Sequence, residues 1–218
     1  MKDMKHHRPR MTQRDNLIVQ FVAEQDACRL DTIHKYLGTK AIEIDLRQLR
    51  NIIDRLVKMG FVRKDSLLAR SPYIVSACAP AIRFAGIPMR RGEKAFIPLY
   101  STIHHPIAVA RVRLEYEVPE AVWTCERQLR QEYGDYHLAD GMVIYQDKRY
   151  LIEVDRTQKE SNRFQNIASI NASMPDIDEV HYWTTTKLIP FISKQMKSLD
   201  SELQKKIKIF TLPSEVNE

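Results

Sequence analysis

Residues 139–155 read ADGMVIYQDKRYLIEVD, two apolar runs on either side of Gln146–Asp147–Lys148. β-branched and aromatic residues crowd both runs, so the stretch predicts a β-hairpin. If the turn has two residues, Gln146 and Asp147, then Asp140 faces Glu153 across the pair. Side chains alternate along a strand, so Asp155 shares the face of Glu153. Three carboxylates then meet in an otherwise apolar sheet. Like charges paired across strands repel, and desolvation makes the repulsion worse, so the cluster calls for a cation or a shared proton. Oxygen-only ligands suit Mg2+ or Mn2+. A three-residue turn would slip the register by one and break the pairing. Two plainer readings stand beside this one: Asp140–Gly141 as an ordinary turn, and 153–156 as a strand end fraying into solvent.

Outward from the hairpin, the C-terminal half alternates strand and helix patterns. An EVHYWT strand is expected at 179–184, helices at 160–173 and 188–199, and a last strand at 206–212. Before the hairpin, 123–133 reads as a helix capped by Thr124 and stopped by Gly134, and 104–114 fits either helix or strand, with helix preferred. Mixed order of this kind implies an α/β layered domain over 104–213.

The N-terminal half has a different pattern. Thr12 and Asp15 make a capping-box start for a helix over about 13–24, with Leu17, Ile18, Phe21 and Val22 at helical spacing. Asp31 caps a short second helix that Gly38 closes. A third helix, 45–59, sets Leu49, Ile52, Ile53 and Leu56 on one face. A two-stranded ribbon, 61–64 with 73–77, and a short closing helix at 80–86 follow. Three helices and a ribbon predict a winged helix-turn-helix over 11–88. A basic tail at 1–10, a proline-containing linker at 89–103 and a short tail at 214–218 complete the division. The polar face of the third helix offers Arg47, Arg50, Asn51, Arg55 and Lys58 for phosphates or base edges, and the wing offers Lys64 and Arg70. A merely solvated charged face is the alternative.

Charge supports that division. The 218 residues carry 34 Lys and Arg against 28 Asp and Glu, a net of +6. Residues 1–100 hold 19 basic and 10 acidic side chains, net +9, and the remainder is net −3. The basic half suits a polyanion such as double-stranded DNA. With 44% hydrophobic residues the chain has the composition of a folded domain, and three cysteines without paired spacing argue against a disulfide framework. No apolar stretch approaches a membrane span or a leader's apolar core, so a cytoplasmic location is expected.

Taken together, MTQRD at 11–15, LRNIIDRLVKMGFV at 49–62, HHPIAV at 104–109, WTCER at 123–127, ADG at 139–141 and LIEVDRT at 151–157 resemble the replication-relaxation family. That family includes the MobC-type plasmid mobilisation relaxases, built on a restriction-endonuclease-like PD-(D/E)xK fold. The resemblance covers about 10–185. It implies metal-dependent nicking of plasmid or mobile-element origin DNA, with Mg2+ or Mn2+ held by Asp140, Glu153 and Asp155 and assisted by Glu126. Asp155 stands where that fold carries its lysine, and Lys159 or Gln158 could reach back from the next turn. The expected partners are double-stranded DNA, a mobilisation or replication accessory protein, and a second copy of the chain. The alternative function is a catalytically inactive, DNA-binding transcriptional regulator or replication accessory protein.

Overall fold

The computed structural model describes residues 10–66, 73–89, 92–134 and 139–213. Helix α1 (Gln13–Gln25) opens on the expected box: the Asp15 amide donates to Thr12 Oγ1 at 3.2 Å, and Asp15 Oδ2 accepts from the Thr12 amide at 2.8 Å. A short strand unforeseen from the sequence, β1 (Ala27–Arg29), precedes α2 (Leu30–Thr39). Arg29, not Asp31, occupies the N-cap position, and Asp31 instead sits in the first turn. The helix also runs through Gly38, and Ala41 takes the positive φ of 55° beyond it. Glycine weakens a helix without ending it when neighbours such as Tyr36 and Leu37 are buried on the packed face.

Asp45 caps α3 (Leu46–Lys58) with a second box through Gln48, and Gly60, at φ 75°, turns the chain into β2 (Val62–Asp65). Strand β3 (Ile74–Ala77) lies between β1 and β2, antiparallel to both, and α4 (Ala79–Phe84) follows. Leu49, Ile52, Ile53 and Leu56 are all buried, as their spacing predicted.

Segment 92–103 forms neither helix nor strand but is anchored. Ile103 is buried with Ala27 and Ile74, and Phe96 and Ile107 pack on them. Helix α5 (His104–Arg113) and a one-turn 3-10 helix (Leu114–Tyr116) come next. The expected helix over 123–133 divides into β4 (Val122–Cys125) and α6 (Glu126–Tyr133). Val122, Trp123 and Thr124 favour an extended backbone, and β5 gives them a partner that helical periodicity ignores. The cap moves from Thr124 to Cys125.

Strands β5 (Gly141–Tyr145) and β6 (Lys148–Asp155) form the predicted hairpin. Gln146 and Asp147 have φ of 50° and 62°, the left-handed pair a two-residue turn requires. Helix α7 (Ser161–Ser173) crosses to β7 (Glu179–Thr184), and α8 (Ile189–Met196) and α9 (Ser201–Lys206) lead to β8 (Ile207–Thr211). The five-stranded sheet has the order β4-β5-β6-β7-β8, antiparallel through β6 and parallel from β6 to β8. The helix expected to reach residue 199 stops at Met196, and α9 was not foreseen. The chain is thus a mixed α+β fold with one three-stranded and one five-stranded sheet. No helix among the described residues is long and apolar enough to cross a membrane.

The two sheets are joined, not merely tethered. Ala110 of α5 and Cys125 at the end of β4 belong to the N-terminal core. Arg113, 6% exposed, pairs with Glu24 and with Glu117 at 2.7 Å, and Arg127 pairs with Asp26 and with Glu93 at 2.9 Å. These ion pairs hold the end of α1 against α5 and α6, and a cleft opens beside them.

Candidate active site

The hairpin ladder closes with Gly141 opposite Ile152. One residue further, Asp140 continues the pairing with its side chain: its Oδ2 accepts the Val154 amide at 2.7 Å. Glu153 and Asp155, at the end of β6, are 2% and 5% exposed. Lys159 reaches back from the turn before α7, with Nζ 2.8 Å from Glu153 Oε1 and 2.6 Å from Asp155 Oδ1. Lys159 thus stands four residues beyond Asp155 in sequence and beside both acids in space.

Electrostatics follow from this geometry. Burial, and next the Glu153 charge, push Asp155 up to about 6 against the pull of Lys159. Burial would lower Lys159, yet Glu153 and Asp155 together raise it to about 12. Tyr182 lies beside Glu153 on β7. Burial first, then the charges of Glu153, Asp155 and Asp140, drive its phenol well above the ordinary range. Its buried hydroxyl has no hydrogen-bond partner among the described residues.

His105, at the start of α5, was quoted in the sequence resemblance without a role. Its Nε2 lies 2.8 Å from Asp140 Oδ1. Burial pulls the imidazole down, but Asp140, with help from Glu153 and Glu126, outweighs it and raises the group to about 9. No spacing rule links residues 35 positions apart. The histidine was visible only as the first residue pair of an apolar helix. Glu126, on the first turn of α6, pairs with Arg130; burial raises its carboxyl, Arg130 lowers it and Asp140 raises it again.

Asp140, Glu153, Asp155, Glu126, Lys159 and His105 line one cleft of about 730 Å³. The end of α1 contributes Glu24 and Asp26, segment 92–103 contributes Phe96, Ser101 and Thr102, and Arg156 and Arg163 line the cleft near α7. The structure therefore gathers all five residues expected to be catalytic and adds His105.

No family model matches this chain, and no curated protein or solved structure matches it.

Asp140, Glu153 and Asp155 bring hard carboxylate oxygens to the cleft, a donor type that suits a small divalent cation. Among the described residues no three acids, histidines or cysteines are grouped tightly enough to hold an ion as they stand. The Lys159 ammonium lies between Glu153 and Asp155, and His105 is on Asp140, so an entering cation has to displace the ammonium.

The residues expected to meet DNA divide into three groups. Arg47, Arg50, Asn51 and Lys58 are exposed on α3. Arg55 is turned inward, with its guanidinium 2.6 Å from Asp15 Oδ1 in a pair whose acid is fully buried. Burial alone would raise Asp15; hydrogen bonds from Thr12 and the Arg55 charge hold it below the usual carboxylate range. Lys64 binds Asp54 at 2.6 Å and lies 4.7 Å from the Tyr73 ring centroid. Arg70 lies outside the described residues.

Proposed function

We propose that this chain is a DNA-binding, metal-dependent endonuclease that nicks plasmid or mobile-element origin DNA, as the relaxases it resembles are thought to do. In this reading the N-terminal body is a winged helix that positions duplex DNA through α3, and the five-stranded sheet is a PD-(D/E)xK nuclease-like layer. The observation that carries it is the convergence of Asp140, Glu153, Asp155 and Lys159 at one end of β6 inside a cleft.

Asp140, Glu153 and Asp155 would hold Mg2+ or Mn2+, which when bound supplies an acidified water and offsets phosphate charge. Asp140 is preset by the Val154 amide, so its second oxygen remains aimed at His105 and the cleft. Lys159, once released from the acids, is a cation beside the place where charge develops on a phosphate. His105, which lines the same cleft, would when protonated be a proton donor for a leaving oxygen. Glu126 lines the same cleft as an outer carboxylate.

The test is nicking of supercoiled plasmid bearing the cognate origin, with Mg2+ and the accessory partner supplied. Conversion to open circles by wild type and none by Asp140→Ala supports the reading; intact supercoils with both reject it.

One observation favours a second reading, an inactive regulator or replication accessory protein. Lys159 and His105 already neutralise much of the acid cluster, so the carboxylates can persist as a structural ion-pair network. Intact supercoils under those conditions would favour this alternative.

A further inference from the structure

An apolar, outward-facing lip lies next to the cleft, beside the lining residues Phe96, Ser101 and Thr102. Ile97, Leu99 and Tyr100 are 56%, 57% and 62% exposed, although they sit in a stretch that is firmly held. Phe96 and Ile103 anchor both sides in a small core with Ala27 and Ile74, and Arg63 donates to the Phe96 carbonyl. The amides of Thr102 and Ile103 both donate to the Leu99 carbonyl, at 3.0 and 2.9 Å, which fixes the turn that displays Tyr100. The Tyr100 ring stands edge-on to His104, with centroids 5.3 Å apart at 85°, and His104 lines the cleft. Arg156 and Arg163 line the same cleft.

We propose that this lip is a stacking platform for an unpaired base, so that the strand reaching the acid site is single-stranded on at least one side of the scissile phosphate. Duplex DNA turns phosphates and sugars outward and offers such a lip nothing to stack on. A splayed base offers two π faces, and an aromatic ring beside cationic groups is the combination that binds single strands. Tyr100 takes the base, while Arg156 and Arg163 take flanking phosphates. The inference rests on reading the cleft as a phosphodiester site, but it concerns binding and does not need cleavage.

The experiment measures fluorescence anisotropy of labelled single-stranded, duplex and bubble-containing DNA in EDTA, so that nothing is cut. Full-length wild type, Tyr100→Ala, Tyr100→Phe and Arg163→Gln are compared, with melting curves confirming that all fold. Tyr100→Ala should weaken single-strand and bubble binding about tenfold and leave duplex binding unchanged, whereas Tyr100→Phe keeps wild-type affinity. Arg163→Gln should reduce the salt slope of single-strand binding by about one phosphate contact. Equal affinities of wild type and Tyr100→Ala for the single strand, equal losses on duplex, or no single-strand binding by wild type would each overturn the proposal. A wild type that binds single strands through Tyr100 but never nicks plasmid would reject the nuclease reading and leave this inference standing.

Discussion

Replacing Lys159 by methionine is the sharpest probe of the acid site. Glu153 and Asp155 side chains are 3% and 6% exposed, and Lys159 is 19% exposed, so the ion pairs are largely shielded from water. Removing one member of a buried pair costs about 3–5 kcal/mol because the other charge is stranded. Partial exposure of the lysine places the expected loss near the lower end, about 3 kcal/mol. For a chain of this length that is a fall in melting temperature of about 6–12 °C.

The loss must depend on pH, and its sign is determined by Asp155. Its folded-state value is raised, from 3.8 to about 6, so the native state holds that proton more tightly than the unfolded chain. Stability from this group is present at acid pH and lost as pH rises through that window. Without Lys159 the value rises further. The deficit of Lys159→Met should therefore be smaller near pH 5, where Asp155 is protonated and only Glu153 is stranded, than at pH 8. Thermal melting monitored by circular dichroism across this range measures it. Mn2+ should then restore stability, by about 2.7 kcal/mol at a free concentration of about 100 times its dissociation constant. A variant melting within about 1 °C of wild type at pH 8 would refute the account of the buried pair. Failure of Mn2+ to rescue a destabilised variant would refute the cation reading alone.

Three other outcomes follow from the structure. Arg47→Ala with Arg50→Ala should weaken duplex binding and reduce the salt slope by about two contacts, whereas Arg55→Ala should chiefly lower stability by stranding buried Asp15; binding titrations at several salt concentrations and melting curves separate them. At Gly141 an added methyl would collide with the Trp123 indole, so Gly141→Ala should cost about 1–3 kcal/mol in urea unfolding and disturb the β4–β5 edge. His181 is 8% exposed and lowered by burial, against the pull of Glu179; Tyr116 Oη lies 2.7 Å from its Nδ1. Because its folded value lies below its unfolded one, stability should fall as pH drops below about 6.5, and His181→Phe should lose that part of the acid sensitivity in melts between pH 7.5 and pH 5.

Local rules did well where the deciding interaction is local. The capping box expected at Thr12 uses a partner three residues away, and it forms. The β5–β6 register depends on one two-residue turn, and from it the meeting of Asp140 with the end of β6 could be read directly. Local rules failed at β1 and β4. Each is only three or four residues long and extended because a partner strand from elsewhere in the chain binds it. At 123–133 the same apolar spacing fitted a helix, and only the pairing with β5 decided otherwise.

What the sequence determined by itself is the β5–β6 hairpin, the buried face of α3, and the gathering of three acids around that hairpin, all consequences of periodicity and turn chemistry within a short span. The tertiary structure decided how that acid cluster is neutralised. Lys159 returns to it from the next turn, and His105 reaches it from α5 because the β4–β6 sheet and the α1 end share packing with that helix. It also decided that Arg55 and Lys64 bind acids of this chain, while Arg47 and Arg50 face outward. Charge counts cannot make that distinction, since the strength of an ion pair depends on burial and distance, which only the folded chain supplies.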